Sequence, residues 1–250
     1  MHPILFSFGP FRVFSYGFMI AAGLAAAFFI IKRRGVVYGI DPDRLIDLII
    51  AVTTVGIICA RVLYVIRFSA LYREDWLGIF RIWEGGLIFY GGAIGATVFL
   101  IGYAFFTKRS FAVLADAIVP YLALVHGFGR IGCFLNGCCG GAETSCFLGV
   151  VFPGTAQAVY PTQLYEAFFC FLLAGFLFLL LRRQLKPGAL VTIYFLAYAI
   201  ERFFIEFIRT NQRVFWGLSH AQIISVGIFV VAMIIFIARR FWEPHRGERA

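Results

Sequence analysis

Long apolar runs separated by short polar stretches organise this chain, at 16–31, 45–66, 87–106, 113–132, 163–181, 189–208 and 221–237. Each approaches the roughly 20 apolar residues that a helix needs to cross a bilayer. The pattern predicts an all-α integral membrane protein with seven transmembrane helices. The segment 68–83, FSALYREDWLGIFRIW, mixes charges with aromatic residues and predicts short interfacial helical pieces in the headgroup layer.

Composition excludes the alternative of a soluble domain. Hydrophobic residues make up 62% of the chain and charged ones only 14%, against roughly 25% charged in a soluble protein. A water-soluble fold of 250 residues has no interior large enough for 31 Phe, 11 Tyr and 4 Trp beside its aliphatic residues. The spans and their loops use up the chain, so 1–250 reads as a single transmembrane domain.

A net charge of +9 suggests nucleic acid only until its positions are read. Basic clusters follow the first run (Lys32, Arg33, Arg34), the third (Lys108, Arg109), the fifth (Arg182, Arg183, Lys186) and the seventh (Arg239, Arg240, Arg246, Arg249). In a seven-span chain these loops share one side, which the positive-inside rule makes cytoplasmic. The N-terminus is then outside, the C-terminus is cytoplasmic, and no nucleic-acid partner is implied. The first run has no basic segment before it, so it is expected to remain a membrane helix, not a cleaved signal.

Ionisable residues persist inside or at the edges of the runs: Arg61, Arg130, Glu166, Arg202, Glu206 and Arg209. An arginine at mid-membrane costs about 2.5–3.5 kcal/mol even on the lenient insertion scale, so something anionic must lie near each. Arg61, Arg130 and Arg202 fall on the second, fourth and sixth runs and are expected to converge on one outward-facing cavity. In ERFFIEFIR, Arg202, Glu206 and Arg209 are spaced four and three apart, hence on one helical face. They form either an ion-pair ladder holding helices together or, with arginines in excess of carboxylates, a site for a lipid phosphate. The guanidinium fork matches phosphate oxygens.

The stretch HGFGRIGCFLNGCCGG, 126–141, places six glycines around Arg130 and predicts a helix breaking up there to line a cavity. In WEGGLIFYGGAIG, 83–95, the glycines serve either small-residue helix packing or the site. Cys59 and Cys170 read as packing residues. Cys133, Cys138, Cys139 and Cys146 fall at the outer face, without the paired CxxC units of a zinc site; a disulfide tying the glycine-rich turn to Cys146 is expected, and no metal or cofactor.

FSYGFMIAAG at Tyr16, ARVLYV at Arg61, WEGGLIFYGG before the third run, GRIGCFLNG around Arg130 and Asn136, YPTQLYE at Gln163 to Glu166, RFFIEFIR at Arg202 and LSHAQ at Gln222 together resemble the prolipoprotein diacylglyceryl transferases of bacterial inner membranes. The resemblance spans nearly the whole chain and implies the same seven-span, N-out arrangement. It implies transfer of an sn-1,2-diacylglyceryl group from phosphatidylglycerol to the lipobox cysteine of a preprolipoprotein signal peptide. Glycerol 1-phosphate leaves, the bilayer is the medium, and the site faces outward. Arg130 and Arg202 match the two arginines regarded as essential, one holding the lipid phosphate and the other near the reacting centre. Tyr16, Asn136, Gly141, Glu206 and Arg209 match positions lining the headgroup cavity, and Arg61, Gln163 and Glu166 join them as substrate-binding candidates.

Departures from the family pattern leave the proton acceptor open. Tyr90 stands where many members have a histidine; with a reference pKa of about 10 it is a poor base, and a hydrogen bond to substrate is its simpler role. Tyr160 also replaces a common histidine, and Cys133 and Cys138 stand where Asn and an acidic residue are frequent. His126 is either a base or a structural hydrogen-bond donor. A transporter or channel for an anionic solute or lipid would also need buried arginines, but the charges cluster at the outward ends of the runs, which favours an enzyme. A scaffold with structural ion pairs leaves the arginine excess unexplained.

Overall fold

The computed structural model describes residues 1–8, 11–82, 85–183 and 185–241; Trp83, Arg246 and Arg249 lie outside them. The helices are α1 (Ser15–Arg34), α2 (Pro42–Arg67), α3 (Phe89–Thr107), α4 (Phe111–Asn136), α5 (Thr162–Leu181), α6 (Ala189–Ile205) and α7 (His220–Phe241). Six, all but α6, contain a stretch long and apolar enough to cross a membrane, which makes this a multi-pass membrane protein. With 17 residues α6 rises about 26 Å, short of a hydrocarbon core of roughly 30 Å, but a 3₁₀ turn at Glu206–Ile208 continues it.

Two antiparallel hairpins, β1 (Ile4–Phe8) with β2 (Phe11–Phe14) and β3 (Arg213–Phe215) with β4 (Leu218–Ser219), are absent from the purely helical expectation. Strands of two to five residues are too short to stand out beside long apolar runs. The segment 68–83 forms two 3₁₀ turns, Ser69–Tyr72 and Trp76–Phe80.

The contacts divide the chain into two compact units, one of residues 31–118 and the other of 1–30 with those from Val119 onward. In the first unit, Asp41 caps α2 by accepting a 2.9 Å hydrogen bond from the Asp43 amide, and Pro42 follows with its φ already helical. Close approach of α2 and α3 explains two glycines of the second glycine-rich stretch. A Cβ on Gly91 would lie 2.7 Å from the Cys59 carbonyl oxygen, and one on Gly95 would lie 2.4 Å from the Cys59 side chain. Small-residue packing is therefore their role.

Arg61 belongs to this unit, and backbone carbonyls surround its guanidinium. It is 7% exposed. Its Nε donates to the Ile79 carbonyl at 2.8 Å, Nη1 to Gly85 and Gly86 at 2.6 and 3.1 Å, and Nη2 to Gly78 and Arg81 at 2.7 and 3.4 Å. A guanidinium has five N–H donors, so backbone carbonyls saturate it and leave none for phosphate. The partial negative charge that Arg61 requires comes from the peptide dipoles of Gly78, Ile79, Arg81, Gly85 and Gly86. Hydrogen bonds to charged groups contribute about 1.5–3 kcal/mol each, so Arg61→Ala should destabilise the protein by at least about 3 kcal/mol. An unchanged thermal midpoint combined with weakened lipid binding would return Arg61 to the substrate.

In the second unit, α6 packs against α5 and α7. Helix α4 runs unbroken through Arg130 to Asn136, and the chain leaves it at Gly137 with φ of 74°. The expected break around Arg130 thus comes seven residues later. Its glycines are tolerated within the helix because neighbours fill their space: Phe171 of α5 against Gly127, and Tyr16 and Ile20 of α1 against Gly132 and Gly129. At α7, Ser219 and Gln222 form a reciprocal cap: the Gln222 amide donates to Ser219 Oγ at 3.3 Å, and the Ser219 amide donates to Gln222 Oε1 at 3.0 Å. That cap is what the LSHAQ motif builds.

Candidate active site

Helices α4, α5 and α6, with the 3₁₀ turn that continues α6, bring together Arg130, Glu166, Arg202, Glu206 and Arg209. Arg130 Nη2 lies 2.6 Å from Glu166 Oε2, and Glu166 Oε1 accepts from Arg209 Nη1 at 2.9 Å. Arg209 Nε lies 3.9 Å from Glu206 Oε2, which meets Arg202 Nη1 at 2.9 Å. The result is one alternating chain, Arg130, Glu166, Arg209, Glu206, Arg202, that begins and ends on arginine. Both carboxylates are enclosed, Glu166 at 1% and Glu206 at 0% side-chain exposure, while Arg130 and Arg202 keep 18% and 15%.

The members come from α4, α5, α6 and the 3₁₀ turn that continues α6. Arg202 and Glu206 meet one helical turn apart, as the ERFFIEFIR spacing predicts. Glu206 Oε1 also accepts from Asn211 Nδ2 at 2.6 Å and from Ser219 Oγ at 2.7 Å, so the α7 cap is tied into the ladder. Glu166 lies one turn into α5, which starts after Pro161. Among the described residues, the buried Nε atoms of Arg130 and Arg209 have no hydrogen-bond partner. An N–H left unsatisfied in a low-dielectric interior costs about 1–3 kcal/mol, so Arg130 Nε is a donor in want of an acceptor.

Glu201 is a member that sequence reading passed over. It lies on α6 beside Arg202, among the charges of Arg130, Arg202, Arg209 and Glu166, and its Oε1 is buried without a hydrogen-bond partner. The signal was present, since an acidic residue in an apolar run meets the criterion that selected Glu206. Once Arg61 is removed and Glu201 added, three arginines face three carboxylates. The buried charges are thus balanced, and the ladder's two ends, Arg130 and Arg202, are its most exposed members.

The other candidates divide between the two units. Tyr16, at the start of α1, packs on Gly132, and a Cβ there would lie 3.1 Å from the Tyr16 Cα. His126 packs its ring 5.9 Å from that of Tyr198 and has Arg130 and Arg202 as charged neighbours. Tyr90 is in the unit of 31–118, at the start of α3, more than half exposed and in edge contact with Phe89. The ladder is built without Tyr90 and Arg61.

Asn136, Gln163 and Gly141 surround the turn after α4. Asn136 closes the helix and hydrogen-bonds the Cys138 thiol. Buried Gln163 donates from Nε2 to the Cys138 carbonyl, and Thr162 Oγ1 donates to that of Cys139 at 2.9 Å. Gly141 is a packing position: a Cβ there would lie 2.5 Å from the Ile208 carbonyl oxygen and 2.8 Å from Thr162. Gly141→Ala should cost about 1–3 kcal/mol by overpacking and lower the thermal midpoint; a midpoint equal to that of the unaltered protein would refute this packing role.

All six cysteines are free, so the bridge expected to Cys146 is not formed. Instead the sulfurs of Cys133, Cys138 and Cys139 lie within 4.8 Å of one another. The neighbouring sulfurs of Cys133 and Cys138, to the second of which Cys139 donates, hold the Cys139 thiol below its ordinary value against the opposing effect of burial, helped by Arg209 and Arg130.

Fold and site together define a multi-pass membrane protein with arginines buried among its helices and held by two enclosed carboxylates. A family model described as prolipoprotein diacylglyceryl transferase matches residues 3–238, and the chain belongs to that family. Among its relatives, the phosphatidylglycerol–prolipoprotein diacylglyceryl transferase 2 of Clostridium perfringens is 36% identical over 231 residues, covering 90% of each chain. Phosphatidylglycerol–prolipoprotein diacylglyceryl transferases of Clostridium tetani and Bacillus cytotoxicus are 34% and 37% identical, over 96% and 93% of this chain and 99% and 90% of theirs.

Proposed function

We infer that this protein moves the sn-1,2-diacylglyceryl group of phosphatidylglycerol onto the lipobox cysteine of preprolipoproteins, releasing glycerol 1-phosphate. Family membership over nearly the whole chain supports the reaction and disfavours transport. The observation that carries the site assignment is the ladder ending on Arg130 and Arg202, with the buried Nε of Arg130 unpartnered.

The acceptor sulfur attacks the glyceryl carbon, the carbon–oxygen bond to phosphate breaks, and its electron pair leaves with the glycerophosphate. Stabilising that departing charge is electrostatic work, for which donors fixed before the reaction are worth most. Arg130 holds the lipid phosphate and Arg202 stands near the reacting carbon, while Glu166 and Glu206 fix their guanidiniums directly and Arg209 bridges the two carboxylates. Tyr16, Asn136, Gln163 and Gly141 shape the headgroup wall, and His126, against Tyr198, is the candidate proton acceptor among these side chains.

The arrangement in the membrane is seven spans, with α6 and its 3₁₀ extension as the sixth. The N-terminus is outside and the site faces the outer side of the bacterial inner membrane. The clusters Lys32 to Arg34, Lys108 with Arg109, and Arg182 with Arg183 support this orientation. Purified protein given phosphatidylglycerol and a lipobox peptide should add a diacylglyceryl mass to the peptide and release glycerol phosphate in equal amount. Unmodified peptide after incubation with active, folded protein would reject the assignment.

A further inference from the structure

We propose that Cys133, Cys138 and Cys139 bind a zinc-class divalent cation as three thiolates and leave the fourth tetrahedral position open to the acceptor cysteine. The fourth-ligand part rests on the transferase reading; the metal site does not.

Three observations carry it. The sulfurs lie within 4.8 Å of one another, and those of Cys138 and Cys139 are 3.6 Å apart. Sulfurs around tetrahedral zinc, at a bond length of about 2.3 Å, stand about 3.8 Å apart, so small side-chain rotations close the site. The backbone that carries them is fixed before any ion arrives. The Cys138 amide donates to the Cys133 carbonyl at 3.2 Å, Thr162 and Gln163 hold the carbonyls of Cys139 and Cys138, and Cys139 adopts φ of 67°.

Among the described residues the group has three donors, the pattern of zinc sites that keep a position for substrate. Cys139 is exposed, so that position is reachable. Zinc with three thiolates carries one negative charge, and a fourth thiolate makes two; the neighbouring charges of Arg130 and Arg209 offset them. The spacing C-x4-C-C lacks paired CxxC units, which is why the sequence did not announce the site.

The step balances simply. The acceptor S–H bond breaks, its proton goes to solvent, and a sulfur–metal bond forms. A metal-bound thiol is deprotonated at neutral pH, which supplies a thiolate without a general base. The same sulfur then bonds to the glyceryl carbon as the carbon–oxygen bond breaks, and the resulting thioether, a weaker ligand, departs.

The whole protein in detergent, reduced and loaded anaerobically with Co²⁺, tests this. We expect about one equivalent retained through gel filtration, with a sulfur-to-cobalt charge-transfer band. Cys133→Ser, Cys138→Ser and Cys139→Ser should lose both, and Cys146→Ser should keep them. Chelator titration of the unaltered protein reports the same site should a variant misfold. A lipobox peptide should shift the visible cobalt bands, and its Cys→Ser analogue should not. No retained metal, or a disulfide within the trio in unreduced protein, overturns the site. Bands indifferent to the thiol peptide overturn the fourth ligand. Full transfer by metal-stripped protein overturns the metal's role while leaving the transferase reading standing. An intact cobalt site without transfer from phosphatidylglycerol, with or without metal, defeats the transferase reading and leaves the metal site.

Discussion

Arg130→Ala and Arg202→Ala should each abolish thioether lipid attachment, with rate losses of at least roughly 100-fold, the scale seen when one donor to a developing negative charge is removed. The protein should still fold and insert. In Arg130→Ala, Glu166 keeps its 2.9 Å bond from Arg209. In Arg202→Ala, Glu206 keeps Asn211 and Ser219. Loss of activity therefore reports loss of phosphate stabilisation, and not collapse of the ladder. Arg130→Lys separates charge from geometry: an ammonium preserves the charge but not the planar fork, so partial recovery at best is expected. The assay is peptide mass gain against released glycerol phosphate, with gel filtration as the folding control. Wild-type rates in both alanine variants would remove the ladder from the reaction.

Replacing Glu206 should do the opposite, harming stability first. Its carboxylate is fully enclosed and meets Arg202, Arg209, Asn211 and Ser219. Glu206→Ala strips the counter-charge from two guanidiniums in a low-dielectric interior. Removing one partner from such a buried network costs about 3–5 kcal/mol, mostly from the charges left uncompensated. On the scaling that holds for soluble domains this lowers the thermal midpoint by roughly 6–20 °C. Glu206→Gln keeps the contacts to Asn211 or Ser219 and should fall between. A midpoint within a degree or two of the wild type would mean that the Glu206 pairs contribute little, and Arg202 would then need another anchor.

Two arrangements left no trace in the sequence, for one shared reason. Arg61 and Arg130 look alike in sequence, each a lone arginine in an apolar run, yet carbonyls of Gly78, Ile79, Arg81, Gly85 and Gly86 saturate Arg61, while among the described residues Arg130 has one carboxylate partner and a free Nε. Side-chain identity announces the cost of burying a charge but not which group offsets it. Peptide carbonyls leave no sequence signature. The thiol trio is the second: cysteine spacing says little about which sulfurs a turn gathers. Here Gly137 and Cys139, both with left-handed backbone, fold the chain back on the end of α4 and bring Cys133 into the trio.

The sequence by itself determined the solvent and the chemistry in outline. Apolar runs separated by basic clusters commit the chain to a bilayer, because that periodicity and length are local properties. The pairing of Arg202 with Glu206 is equally local, one helical turn apart. Tertiary structure alone decided that Glu166 of α5 would bridge Arg130 and Arg209, that the α7 cap would reach Glu206, and that three thiols would meet beside them. Those contacts join residues far apart in the chain, and their existence depends on which helix faces turn toward one another.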